Sequence, residues 1–176
     1  MAKKEALREL QSRLAERLQA ARTEARTASW LAVESAGQGF LLPLAEAGEI
    51  FPLSAFVPVP HTAHWFLGVA NLRGGLHGVV DLAAFLGLKG AGGVAESGRE
   101  QARLVAFNPG LEINCALLVE RLSGLRSKEH LRAEADDGRP RPAFVGARHV
   151  DGQGRRWQEL SLAALAADEA FLKIVG

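Results

Sequence analysis

The chain has no tyrosine, a single methionine at Met1 and a single cysteine at Cys115 among its 176 residues. One cysteine cannot form an internal disulfide, which excludes the stapled secreted class and fits a reducing cytosol. An excess of either charge is also missing, since 21 Lys and Arg stand against 20 Asp and Glu. That balance excludes a polybasic nucleic-acid binder and an acidic tail protein. No apolar run approaches the ~18–20 residues of a membrane span. Glu5, Arg8 and Glu9 interrupt any signal-peptide core at the N-terminus. The protein is therefore expected to stay in the cytoplasm without inserting into the membrane. What the sequence does have, 48% apolar and 23% charged residues, is the composition of a soluble globular chain.

Residues 1–28 form one compositional block. They lack Gly and Pro and consist largely of Ala, Leu, Arg, Glu, Gln and Lys, all strong helix formers. Leu7, Leu10, Leu14 and Leu18 recur at spacings of three and four, extended by Ala21 and Ala25, which predicts a helix over about 4–27. Glu9 and Arg13 supply an i,i+4 pair. A heptad fails because Arg17 and Glu24 fall on its seam. The leucine stripe is expected to pack on the rest of the chain, as amphipathic faces normally do; a partner-binding helix is the alternative.

From Trp30 onward, short β-prone runs alternate with Gly, Pro and Asp-Gly turns, the pattern of small barrels or sandwiches. Trp30–Glu34 and Phe40–Pro43 flank a hairpin loop at Gly37-Gln38-Gly39. Glu49–Leu53 is a further short run, and Val57-Pro58-Val59-Pro60 must be extended without being a central strand. Trp65–Arg73 and Leu76–Asp81 read as a hairpin closed by a type I′ turn at Gly74-Gly75. That turn would pair Arg73 with Leu76, Asn71 with Gly78 and Val69 with Val80. It would put Leu67, Val69, Asn71, Arg73, Leu76 and Val80 on one face, and Phe66, Ala70, Leu72 and Val79 on the other.

Asp81 is placed to cap a short helix, Leu82–Leu86, with Gly87 as its stop. Residues 88–101 read as a Gly-rich loop. Arg103–Phe107 and Glu112–Glu120 form another hairpin around a type II turn at Asn108-Pro109-Gly110. Residues 123–142 read as polar and irregular. Phe144–Val150 and Arg155–Leu160 form a further hairpin, followed by a last helix capped by Ser161.

The signals for chemistry are weak. Gly90-Ala91-Gly92-Gly93-Val94-Ala95 matches G-x-G-x-x-[GA] in letters, but a dinucleotide site needs a strand before it and a helix after it. His61 and His64 are spaced like two metal ligands, yet lack a third or fourth. Cys115 lies inside an apolar strand, where a thiol acts as a small hydrophobe. Asp136-Asp137 fit a solvated turn. No catalytic group, metal site or cofactor is expected. Asn71-Leu72-Arg73-Gly74 remains, at the tip of an otherwise apolar hairpin, with an arginine whose planar fork can anchor an interface.

The run Gly68-Val69-Ala70-Asn71-Leu72-Arg73-Gly74-Gly75-Leu76-His77-Gly78-Val79-Val80-Asp81-Leu82, with Phe85-Leu86-Gly87 after it, resembles the motif of CheW-like adaptor domains over about residues 29–176. The N-terminal Leu-rich helix, Trp30, Val59-Pro60 before Trp65, and Trp157 with Ser161-Leu162 and Phe171-Leu172 are most similar to PilI-type adaptors of type IV pilus chemosensory systems. His77-Gly78 departs from relatives that carry a proline there.

The resemblance implies a mainly β fold of two interlocked SH3-like five-stranded barrels around a shared core, with an N-terminal helix and short helices. It implies a non-catalytic adaptor that couples a methyl-accepting chemoreceptor tip to the regulatory domain of a CheA-type histidine kinase, at receptor arrays on the inner membrane. It carries Asn71, Leu72, Arg73 and Gly74 over as the partner-contact region, led by Arg73, and Gly75 and Asp81 as structural motif residues. Twitching motility is the expected pathway; a flagellar chemotaxis adaptor or a small-ligand sensor domain are the alternatives.

Overall fold

The computed structural model describes residues 2–90 and 93–175, the side chains of 24–27 excepted. Helix α1 spans Ala2–Thr27, as its composition predicts, with Glu9 and Arg13 paired at 2.8 Å. Its leucine stripe does not pack on the protein. Leu7, Leu10, Leu14 and Leu18 are 55%, 54%, 50% and 63% exposed, which overturns the expected packing. The apolar side chains of the strands after Trp30 pack against one another instead.

The strands make two sheets. The first contains β1 (Trp30–Ser35), β2 (Gln38–Pro43), β8 (Arg121–Arg126), β9 (Leu131–Ala133), β10 (Val145–Asp151) and β11 (Arg156–Leu160), in the order β8-β1-β2-β11-β10-β9. The second contains β3 (Ala47–Pro52), β4 (Phe66–Leu72), β5 (Gly75–Asp81), β6 (Arg103–Phe107) and β7 (Cys115–Val119), in the order β3-β6-β7-β5-β4. The second sheet is thus inserted between β2 and β8 of the first. Parallel pairs β2–β11 and β5–β7 tie distant parts of the chain together.

Side-chain alternation explains why the two units share a core. On β6, Leu104 and Ala106 face the inside of the second barrel, while Val105 and Phe107 face the first. On β7, Ala116 and Leu118 point inward, and Cys115, Leu117 and Val119 point across. On β1, Trp30 and Ala32 join Leu41 and Trp157 inside the first barrel, while Leu31 and Val33 face the second. Strands buried on both faces read as continuous apolar runs, and these do.

Three short helices close the shared core. Helix α2 (Leu82–Phe85) is capped by Asp81; α3 (Leu162–Ala166) is capped by Ser161; and α4 (Glu169–Leu172) is capped by Asp168. The expected single C-terminal helix is therefore two. It breaks because Asp168 takes the Phe171 N–H at 3.0 Å and starts a new cap. That turn drives Phe171 between the rings of Trp65, Phe85 and Phe107.

Several loops differ from the sequence expectation. The first hairpin turns at Ala36-Gly37, with φ of 51° and 72°, so Gln38 and Gly39 belong to β2. The β6–β7 connection is a 3-10 turn at Pro109–Leu111 rather than a type II turn. Asn108 caps that turn, and Glu112 rather than Gly110 takes the left-handed conformation. The stretch 123–142 is not wholly irregular, because most of β8 and all of β9 fall within it.

Strand β4 carries a bulge at Gly68, where φ is +144°. The bulge reverses the expected facing of two residues: Phe66 packs in the shared core with Val80, and Leu67 packs with Ala70 and Leu72. A Cβ at Gly68 would lie 2.2 Å from the Val57 carbonyl oxygen, whereas a Cβ at Gly74 would meet nothing within 4 Å. Gly74→Ala carries only the backbone penalty of a positive φ, about 1 kcal/mol. Gly68→Ala adds a backbone clash, about 3 kcal/mol in all. Thermal melts should show a drop of about 3 °C for Gly74→Ala and roughly three times that for Gly68→Ala.

Candidate functional site

The β4–β5 hairpin is closed by Arg73-Gly74, one residue earlier than expected. Leu72 pairs with Gly75 and Asn71 with Leu76. Arg73 and Gly74 have φ of 49° and 78°, the paired positive values of a type I′ turn. The Asn71 side chain decides the placement, because its Oδ1 accepts the Gly74 N–H at 2.9 Å. The expected pairs Arg73–Leu76, Asn71–Gly78 and Val69–Val80 are replaced accordingly; Val69 opposes Gly78, and Phe66 opposes Val80. Gly75 sits in the strand, not the turn. Leu72 is buried inside the barrel, so of the four candidate contact residues it serves as the anchor and the other three form the tip.

Arg73 projects from this corner with its side chain 77% exposed, and its Nη2 meets Glu49 Oε1 at 2.7 Å. Glu49 lies on β3, the opposite edge of the five-stranded order, so this ion pair spans from the β4–β5 hairpin to the other edge strand. An exposed pair of this kind is worth about 0–1 kcal/mol, and the guanidinium can exchange partners at little cost. Exposed apolar side chains occupy the same segments: Ile50 beside Glu49, Leu76 opposite Asn71, and Val57, which bonds to β4 through Val69.

Asp81 caps α2 as expected, accepting the Ala84 N–H at 3.2 Å. It also does something the sequence does not show. Its second oxygen accepts from the Gly93 N–H and pairs with Lys89 Nζ at 2.8 Å, which ties down the loop after α2. The glycine-rich motif at 90–95 includes Ala91 and Gly92, which lie outside the described residues. The loop leads into a 3-10 turn at Glu96–Gly98 rather than the long helix of a dinucleotide site. His61 and His64 are exposed, and no three His, Cys, Asp or Glu side chains gather among the described residues. Cys115 is buried, and desolvation pushes its thiol up to about 12, so it is an inert core residue.

Sequence reasoning missed one cluster. Glu34, at the end of β1, is buried and accepts from the guanidiniums of Arg121 and Arg155 and from Ser123 Oγ–H at 2.7 Å. Arg155 and Arg126 lie over the Trp157 ring, 4.6 and 5.4 Å from its centroid. Trp157 Nε1–H donates to Asp151 at 3.0 Å, which holds that carboxyl below its usual range. Glu34, Arg121, Ser123, Arg126, Arg155 and Trp157 line an open cleft of about 530 Å³ that Gln101 and Arg103 of the second sheet's segment also border. A carboxylate at the end of an apolar run was the available signal, but its partners are 87 to 121 residues away in the chain.

A family model described as a CheW-like domain matches residues 29–170. The chain belongs to the CheW-like domain family. Its sequence is 29% identical over 166 residues to Protein PilI of Pseudomonas aeruginosa, an alignment that covers 92% of this chain and 88% of that protein. The crystal structure of the scaffolding protein TtCheW from Thermoanaerobacter tengcongensis has the same fold. It matches with a TM-score of 0.61, over 77% of this chain and 90% of that one, at 16% identity. The expected mainly β architecture of two SH3-like barrels stands, with six and five strands in its two sheets.

Among the described residues of this CheW-like chain, Glu34 is the acidic group held far below its ordinary value. Arg121 contributes most, ahead of Ser123 and Arg155, and together they outweigh desolvation and bring its carboxyl to about 2. The unfolded chain titrates near the ordinary 4.5. The lowered folded value contributes stability that is complete above about pH 5 and is lost as pH falls from there toward 2. With Arg121 half exposed, the contribution is discounted to about 2 kcal/mol. Glu34→Gln should lower stability by about that amount at pH 7 in urea unfolding. The gap between variant and parent should close as the pH approaches 2.

Proposed function

We propose that the protein is a non-catalytic chemosensory adaptor that joins a chemoreceptor's signalling tip to the regulatory domain of a CheA-type histidine kinase. In this reading residues 29–176 form the adaptor body and residues 1–28 a separate arm. The similarity to PilI favours a type IV pilus system governing twitching motility. Among the described residues no helix is long and apolar enough to cross a membrane, and the body reaches the inner-membrane array by holding the receptor from the cytoplasmic side.

One observation carries the reading: an exposed guanidinium is mounted on a type I′ turn whose next residue inward, Leu72, is locked in the barrel. Asn71 and Gly74 fix the corner, and Gly75 and Asp81 hold the strand and helix behind it. A rigid body of this kind does its work by geometry. A receptor that contacts the Arg73 corner differently in its two signalling states shifts the kinase by the difference in those contacts. Coupling of this type is worth about 1–3 kcal/mol. The kinase is expected on sheet residues at the barrel ends.

Arg73→Asn separates fold from function, because Asn-Gly is the preferred type I′ pair. The variant should melt at or slightly above the parent temperature. In reconstituted receptor–kinase assemblies it should weaken receptor control of the kinase about tenfold, as loss of an arginine anchor does. A folded Arg73→Asn protein with unchanged control would remove Arg73 from the contact.

A further inference from the structure

Helix α1 carries an apolar seam that no described residue covers, and it lies outside the family match at 29–170. The seam has a period the heptad test does not detect. Leu7, Leu10 and Leu14 are followed by Leu18, eleven residues after Leu7, and Ala21, eleven after Leu10. An eleven-residue repeat keeps a seam nearly parallel to the helix axis and suits lengthwise packing against another helix. The four leucines fall within about 80° of the helix circumference, the width of a helix-pairing seam.

The charges around the seam select the partner. Lys4, Arg8 and Arg22 lie along one border and Arg17 along the other, all exposed. Glu5, Glu9 and Glu16 lie on the far face, where Glu9 is already engaged by Arg13, and Glu24, seven residues after Arg17, is the one acidic position near a border. A second copy of the helix laid antiparallel would set Lys4 and Arg8 against its Arg22, so self-pairing in that sense is opposed. A bilayer surface would favour a broader apolar face with aromatic residues, and the helix has none.

We propose that α1 is a docking arm for an amphipathic partner helix whose own apolar seam is bordered by Asp and Glu. The arm adds a second attachment point to the barrels and stands independently of the adaptor reading.

The test uses the full chain and a labelled synthetic helix of about 28 residues, with leucines at the same three-four-four spacing and glutamates along both borders. A second peptide carries lysines in place of those glutamates. In low salt, fluorescence anisotropy should show the glutamate peptide binding at least tenfold more tightly than the lysine peptide, with the gap narrowing as salt rises. Leu10→Gln with Leu14→Gln should weaken binding at least tenfold, and Arg8→Glu with Arg22→Glu should reverse the preference between peptides. Tryptophan-monitored melting of the barrels should be unchanged in both variants.

Absent binding, equal binding of the two peptides, or binding indifferent to the leucine variant would overturn the proposal. So would sedimentation showing a dimer that the leucine variant dissociates, which would assign the seam to a second copy. Leucine-dependent binding to vesicles containing 30 mol% phosphatidylglycerol, with neither peptide bound, would assign it to a lipid surface.

Discussion

Strands β1, β6 and β7 are apolar on both faces, and the rest of the structure depends on that constraint. Each gives alternate residues to its own barrel and to the core between barrels. Interiors packed to crystalline density resist sliding and shear. Neither barrel can turn against the other without exposing Val105, Leu117 or Val33, each fully buried. The insertion of one sheet within the other, with two parallel pairs bridging distant segments, adds a topological tie to the packing.

That stiffness gives the hairpin corner its meaning. An arginine on a loose loop would lose on ordering much of what it gains on contact. Arg73 stands on a two-residue turn, held from within by Leu72 and from the side by Asn71, and its resting partner Glu49 is weak enough to release it. The Glu34 cluster works in another way. Its buried carboxylate gathers the guanidiniums of Arg121 and Arg155, and Arg155 also covers Trp157, so charge neutralisation and core coverage coincide in that one side chain.

Local chemistry was legible in the sequence wherever short-range rules applied. The α1 helix, the four hairpins, the Asp81 and Ser161 caps and the buried fate of Cys115 all follow from neighbours within a few residues. The hairpin register does not, because two adjacent glycines permit either of two turns and the Asn71 side chain chooses. The Gly68 bulge is set by the approach of Val57, eleven residues away. Strands β8 and β9 escape detection because only part of each is apolar and their partners are remote. Amphipathicity shows that α1 has an apolar face but not whose surface should cover it. The Arg73 corner could be found through its motif and its turn; the Glu34 cluster assembles only when β1, β8 and the residue before β11 meet.

The claim that the two barrels behave as one rigid body is tested most directly by native-state hydrogen exchange. Amides of β1 in the first barrel and of β7 in the second should open only in global unfolding, with the same free energy and the same denaturant dependence. If β7 exchanged through a separate, lower-energy opening while β1 stayed protected, the shared core would not unite the barrels, and the account built on it would be contradicted.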